Sequence, residues 1–330
     1  MHGLFLTLAA ALAMVPTALG ACENHSIRKC WSALGEYERT EYINSTLCLM
    51  NPEMAPAKTG TYGSKSRWDE LLVAHVAQVQ FIHVTGAFFP WHRWYTRVHE
   101  NLLRDECGYT GPYPYWDEQV DQGSAPLQNA SVWSPSATTG FGTGNTDEND
   151  CVVDGSFANL KLNLTTELTR TSNSCLTRVF NQTHFDSVAQ NIVDSCMDID
   201  DYWTMWSCLG NGPHTGGHFG VGGTMEHVSF SAFDPIFFLH HTNLDRLWTQ
   251  WQSRDVARLT AMGGPLVAPA ALFGEAQPSF FGVDAFVPYF GDEGNTTTLN
   301  HNMWMVGIVE NITVADAMNV ENEGICNEYA

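Results

Sequence analysis

The spacing of its histidines constrains this 330-residue chain more than any other feature. Six of the thirteen histidines form two sets of three, which are His75, His83 and His92, and His214, His218 and His241. In the second set, His214 and His218 are four positions apart, which places both imidazoles on one face of a helix, as metal chelation requires. A single histidine is more often a packed residue than a ligand. Two such sets, each beside a strong helix start, predict metal binding.

The residue types in these sets indicate which metal they suit. Neutral imidazole binds zinc, copper, iron and nickel, and Cu(II) stands highest in the affinity order of the divalent ions. Hydrolytic two-metal sites need carboxylates to bridge hard ions, and neither set carries Asp or Glu at ligand spacing. An all-imidazole pocket therefore favours two copper ions that react with O2 over a hydrolytic centre.

Apolar periodicity predicts four helices around these histidines. They cover residues 68–79, 90–106, 214–219 and 234–252. Pro90 and Pro235 both suit the first turn of a helix, where their missing N–H costs no hydrogen bond. His83 lies in the connection between the first two helices.

The rest of the chain is predicted to consist of loops and short elements. Residues 108–165 are rich in Gly, Ser, Thr, Asn, Pro and Asp and indicate a long ordered loop region, and a further helix is predicted over residues 175–195. After Pro265 the pattern changes to short β-type runs such as MWMVGIVENITV. No charge run or Pro-rich linker marks a boundary, so residues 21–330 are expected to form a single domain.

The sequence around the histidines resembles the copper-binding signatures of tyrosinases and catechol oxidases, the short fungal secreted members in particular. His83 and His92 lie within FIHVTGAFFPWHRWY, and the pair His214 and His218 precedes DPIFFLHHTNLDRLW. The resemblance covers residues 28–251. It implies a mainly α fold, in which an antiparallel four-helix bundle core holds two copper ions, with long loops and a short β-rich C-terminal part. Each copper ion would have one set of three histidines, and O2 would be the co-substrate.

The resemblance also assigns roles near the second set. The ligand in the His-His pair is the second residue, His241, so His240 is expected to face away by about 100° and to be a buried structural residue. Asp245 lies four residues further on and is expected to accept a hydrogen bond from a ligand imidazole, with an ion pair to Arg246 or another arginine as an equal alternative. His99 is expected to be structural.

Several positions are expected to tune the activity. Thr215 stands where members with strong activity on monophenols often carry Asn, and Phe219 follows the second histidine, so the deprotonation of a monophenol should be poorly supported. Val228 aligns with the gate above this copper, where a small residue favours substrate entry and plain packing is an equal alternative. Phe81 replaces a Cys that forms a thioether in many relatives, so that crosslink is excluded here.

The function that the resemblance implies is the oxidation of o-diphenols, or of o-aminophenols, to o-quinones by O2, with weak or absent hydroxylation of monophenols. A small phenol is the expected partner. Two alternatives stay open. One is a true tyrosinase that acts on monophenols and tailors a phenolic natural product, and the other is a non-catalytic, hemocyanin-like O2-binding protein. The chain ends about 40 residues after Tyr289, so no long C-terminal shielding domain is expected.

The N-terminus and the cysteines predict secretion. Residues 4–15, LFLTLAAALAMV, are typical of a signal-peptide core, and small residues before Ala21 predict cleavage after residue 20. None of the nine cysteines forms a C-x-x-C pair, so disulfides are expected, with one thiol left over. Seven N-x-S/T sequons favour surface glycosylation.

The charge excludes two classes of partner. With 15 Lys and Arg against 36 Asp and Glu, the formal net charge is −21. Nucleic acids and anionic membranes both require basic patches, so neither is an expected partner.

Overall fold

The computed structural model describes residues 22–144, 151–165, 168–269 and 286–330, and the expected signal segment lies outside them. In chain order the helices are α1 (Glu36–Met50), α2 (Arg67–Ala77), α3 (Val79–Ile82), α4 (Phe88–Cys107), α5 (Glu118–Ser124), α6 (Gln182–Phe185), α7 (Gln190–Met197), α8 (Tyr202–Leu209), α9 (Thr215–Val221), α10 (Ile236–Ser253) and α11 (Val314–Met318). The strands are β1 (Ser26–Cys30), β2 (Tyr113–Tyr115), β3 (Lys161–Leu164), β4 (Arg170–Cys175), β5 (Asn302–Met303), β6 (Ile312–Thr313) and β7 (Asn327–Tyr329). None of the described helices could span a membrane.

Local capping sets the boundaries of the principal helices. The Ser66 side chain accepts a hydrogen bond from the backbone N–H of Asp69 at 3.1 Å, which satisfies a free donor at the start of α2. The α4 helix ends at Gly108, whose φ of 69° lies in the left-handed region that glycine adopts without strain. At the start of α10, the Asp234 carboxylate accepts from the backbone N–H of Ile236 at 3.1 Å.

Helices α2, α4, α9 and α10 form the helical bundle core, as the resemblance implies. The buried ring of Phe237 on α10 lies between the other three helices, since its centroid is 5.1 Å from that of His75 on α2, 6.2 Å from that of His92 on α4 and 6.0 Å from that of His218 on α9. The bundle therefore brings histidines that are far apart in sequence around one apolar centre.

Two helix predictions need correction. The first helix ends at Ala77 rather than at residue 79, because Gln78 leaves the helical conformation and its side-chain amide donates to the carbonyls of Ala74 and Trp304. The helix predicted over residues 175–195 begins only at Gln182, since Cys175 ends strand β4, and a 3-10 turn at Asp186–Val188 divides it into α6 and α7. In both places a local side-chain or turn interaction interrupts a regular apolar pattern.

Long-range pairing joins the two ends of the described chain. Strand β1 lies between β2 and β7 in a parallel sheet, and a disulfide joins Cys22 to Cys326.

The β-type run near residue 303 forms only the two-residue antiparallel pair of β5 and β6. The other disulfides are Cys48–Cys107, Cys151–Cys175 and Cys196–Cys208, which leaves Cys30 as the free thiol. The expected disulfide framework with one unpaired cysteine is confirmed.

A buried ion network lies where this sheet meets α4 and α10. Asp245 on α10 accepts from Arg28 of β1 at 2.9 Å, from the Tyr329 hydroxyl of β7 at 2.5 Å, and from the Nε of Arg93 on α4. The side chains of Arg28, Arg93 and Asp245 are buried, and Tyr329 is half-buried. These contacts match the ion-pair alternative for Asp245, with arginines other than Arg246 as its partners.

The substitution Asp245→Asn tests this network. The expected cost is about 3–5 kcal/mol of unfolding free energy, because the buried Arg93 loses its counter-charge and the buried Arg28 loses the nearer of its two carboxylates. Thermal and denaturant unfolding of the purified protein measures it. The matched control is Asp198→Asn, whose partner Arg254 and own carboxylate are both exposed, with an expected cost below about 1 kcal/mol. Equal losses in the two variants would contradict the role of Asp245.

Candidate metal centre

The structure brings the two predicted histidine sets together in the bundle. Within each set, one ring nitrogen of each histidine lies within 4.8 Å of those of the other histidines. The two sets also touch, since the rings of His92 on α4 and His241 on α10 stack with centroids 4.3 Å apart and planes 13° apart. The result is two adjacent groups of imidazoles, one of them containing a fourth histidine, His240.

Backbone carbonyls orient five of the six predicted ligands. Three of them contact the carbonyl four residues earlier through Nδ1, in the pairs His83–Val79 at 3.0 Å, His92–Phe88 at 2.8 Å and His214–Gly210 at 3.2 Å. A carbonyl oxygen can only accept, so Nδ1 carries the hydrogen and the lone pair is on Nε2. The last of these pairs depends on the π-helical turn Gly210–His214 before α9.

The other two carbonyls come from one loop between α9 and α10. His75 contacts the carbonyl of Ser229 through Nδ1 at 3.0 Å, and His218 contacts that of Met225 at 2.7 Å. The loop therefore orients one imidazole in each set. In metal sites such partners commonly fix the tautomer and the orientation of the ligand ring.

The nitrogens that remain suit a metal ion. The Nε2 atoms of His75, His92 and His214 are buried and have no hydrogen-bond partner among the described residues. A buried polar atom without a partner is costly, and a bound metal ion would satisfy it. Burial also lowers the pKa of all six imidazoles, that of His83 to about 3, so the rings are neutral and can donate their lone pairs. The donor set fits two copper ions.

The expectation that His240 faces away from the second set is wrong, although it is buried as expected. Its ring lies within the cluster, and its Nδ1 is 2.6 Å from Oε1 of Glu118 on α5. The same carboxyl group accepts from the amide of Asn243 at 3.1 Å. A Cβ at Gly217 would lie 2.5 Å from both the carboxylate and the His240 ring, so α9 can pack here only because residue 217 has no side chain.

Two other sequence assignments concern residues outside the ligand sets. His99 is buried, its Nδ1 lies 2.6 Å from the Tyr113 hydroxyl, and its ring stacks on Phe238 at 3.7 Å, as a packing role requires. Phe81 packs against Phe286 and Phe290 at 5.1 and 5.2 Å, so an aromatic contact takes the place of the crosslink that the sequence excludes.

A cavity of about 280 Å³ opens onto the histidines from both sets. Three tuning positions named from the sequence line it, namely Thr215, Phe219 and Val228. The Thr215 hydroxyl donates to the carbonyl of Asn211 at 2.7 Å, so its hydrogen is already engaged within the helix. Val228 packs against Val79 and Ala268, in agreement with the packing alternative.

Sequence reasoning missed other residues of the cavity wall. They include His83's neighbour Val84, together with Trp206, Asn211 and Glu226. Val84 has a φ of 51°, in the left-handed region that branched side chains rarely adopt. Such backbone strain is concentrated at functional sites. No familiar motif signals these residues, because they come from separate elements, with Trp206 on α8, Asn211 in the π-helical turn, and Val84 and Glu226 between the principal helices.

Two adjacent all-imidazole sets on a helical bundle define this protein as a dicopper protein of the class that reacts with O2. Residues 65–254 match the model described as the common central domain of tyrosinase. The chain belongs to the tyrosinase family.

Individual relatives agree with this assignment. The chain is 31% identical to the tyrosinase-like protein phomQ1' of Diaporthe leptostromiformis, over 93% of this chain and 80% of that protein. Its fold is similar to that of a polyphenol oxidase variant from Thermothelomyces thermophila, with a TM-score of 0.75 at 24% identity, covering 94% of this chain and 90% of that one. A functional unit of octopus hemocyanin shares the fold more distantly, with a TM-score of 0.51 at 18% identity and coverage of 92% and 67%.

Copper content distinguishes His241 from His240. We expect two copper ions per chain in the unsubstituted protein, about one in His241→Asn, and two in His240→Asn, because the resemblance assigns the ligand role to the second residue of the pair and His240 packs against Glu118. Elemental analysis of purified protein measures the ratio. His184→Gln, a change at an exposed histidine outside every group of candidate ligands in the described chain, is the control and should retain two ions. Loss of an ion from His240→Asn alone would reverse the assignment.

Proposed function

We propose that this tyrosinase-family oxidase is a secreted enzyme that converts o-diphenols, or o-aminophenols, to o-quinones and hydroxylates monophenols weakly or not at all. The observation that carries the proposal is the cavity, which reaches His83 of one set and His214 and His218 of the other. Its volume of about 280 Å³ suits a single substituted phenol ring.

The residues of the cavity would each perform a simple task. The aromatic side chains of Trp206 and Phe219 provide apolar walls for the ring and exclude water from the histidines. The carbonyl contacts hold the imidazoles in fixed orientations, so that little reorganisation accompanies the reaction. When bound, the two copper ions supply the redox exchange by which one O2 oxidises two o-diphenols to two o-quinones and forms two waters.

The preference for diphenols rests on Thr215. An o-diphenol needs only to lose protons and electrons, whereas a monophenol must also be deprotonated and positioned for attack on its ring. The Thr215 hydroxyl donates to Asn211 and so is not available as a donor in the cavity. This arrangement supports the diphenolase interpretation over the true tyrosinase.

Secretion has its own support. The four disulfides of the described chain are typical of an oxidising compartment. Of the seven sequon asparagines, Asn163 is half-buried and the other six are exposed, as glycan attachment requires.

Oxygen uptake with catechol tests the activity. The copper-loaded protein is expected to consume O2 and to form coloured quinone, with a half-equivalent of O2 per catechol oxidised. The control is the His83→Ala variant, which loses a ligand and should lose turnover. A fully copper-loaded protein that binds O2 but does not oxidise catechol would favour the hemocyanin-like alternative.

The substitution Thr215→Asn separates the diphenolase from the true tyrosinase. An amide at this position adds a hydrogen-bonding group that can orient a water beside the phenol. The ratio of monophenol to diphenol turnover should rise by about tenfold, less than the roughly hundredfold minimum for a directly positioned base, because the amide acts only through the water. Thr215→Val, which removes the hydroxyl, is the matched control and should leave the ratio low. A ratio that is already high and unchanged by Asn would identify a true tyrosinase.

A further inference from the structure

The loop between α9 and α10 connects the walls of the cavity to the ligands. The carbonyls of Met225 and Ser229 in this loop engage His218 and His75, and both loop residues are buried. Between these anchors lie Glu226 and Val228, which line the cavity. The backbone that carries these two side chains is therefore anchored to both histidine sets.

Glu226 differs from the rest of this cavity wall. Among the described lining residues it is the only carboxylate, and none of them is a lysine or an arginine. It is exposed, and within the described chain its carboxylate forms no hydrogen bond or ion pair. The apolar neighbours Val84, Phe219 and Val228 surround the route to the histidines with uncharged surface. One negative charge thus stands alone in the wall of an otherwise neutral cavity.

We infer that Glu226 is a substrate-recognition residue that selects phenols bearing a cationic side chain, such as an ammonium group, and disfavours phenols bearing a carboxylate. This inference rests on the proposed function, because it names the class of substrate for the same cavity. The ring would lie against the histidines while the ammonium group pairs with the carboxylate. The net charge of −21 adds a long-range attraction for cations.

The expected size of the selection follows from the exposure of Glu226. An exposed pair of charges changes binding by up to about fivefold. Glu226 attracts a cationic substrate and repels an anionic one. The kcat/KM of the cationic substrate is therefore expected to exceed that of the anionic one by about tenfold at low salt. Salt screens exposed charges, so the difference should shrink at high ionic strength.

Three catechols of matched ring and similar length test the inference at neutral pH. Dopamine is cationic, dihydrocaffeate is anionic, and ethylcatechol is neutral. For each variant of the copper-loaded protein, kcat/KM of the two charged compounds is divided by that of ethylcatechol. The ratio of dopamine to dihydrocaffeate should be about tenfold in the unsubstituted protein, about threefold or lower in Glu226→Gln, and below one in Glu226→Lys. Glu53→Gln, which removes an exposed carboxylate outside the cavity, should match the unsubstituted protein.

Equilibrium binding separates this inference from the proposed function. Phenethylamine and phenylpropionate lack hydroxyl groups and are not oxidised, and calorimetric titration of the copper-loaded protein gives their relative Kd. If phenethylamine binds more tightly than phenylpropionate and Glu226→Gln removes this preference, the inference is supported. Failure of the copper-loaded protein to oxidise any catechol would overturn the proposed function and leave this binding result intact. The role of Glu226 is overturned if the ratio of the two Kd values is the same in the unsubstituted protein and in Glu226→Gln, or if neither protein prefers phenethylamine.

Discussion

The contact between an imidazole Nδ1 and a backbone carbonyl is the interaction on which the rest of this centre depends. It fixes the tautomer of five histidines and leaves the lone pair of each ring on Nε2. Because the acceptors belong to the main chain, the backbone of α4 orients His92, the π-helical turn orients His214, and the end of α3 orients His83. The other two contacts join His218 to Met225 and His75 to Ser229. The loop that contains these two residues therefore orients ligands of the metal centre and also lines the cavity.

Sequence reasoning recovered the features that depend on local spacing. The helices α2, α4, α9 and α10 follow from apolar periodicity and capping, and the two histidine sets follow from positions on those helices. The resemblance to tyrosinases then supplied the bundle and the two copper ions, which the family match confirms. The single domain and the choice of His241 over His240 remain predictions.

The features that sequence reasoning missed are set by long-range packing. The partners of Asp245 lie 217 and 152 residues away, at Arg28 and Arg93, and no local pattern indicates which arginine reaches it. The proximity of His240 to the second set depends equally on Glu118, 122 residues earlier. The cavity wall combines residues of α8 and α9 with residues of connections, and the packing of the whole fold rather than a repeat brings them together.

The network around Asp245 also sets the order in which the molecule can be completed during synthesis. Arg28 and Tyr329 are 301 residues apart, yet their side chains share one buried carboxylate. A chain still emerging from the ribosome has Arg28 and Asp245 available but lacks Tyr329 and strand β7. The contact of Asp245 with Arg93, which joins α4 to α10, can form at that stage. Asp245 gains its full set of partners only after translation has passed Tyr329, so the last support for the helices that carry His92 and His241 comes from the C-terminal strand.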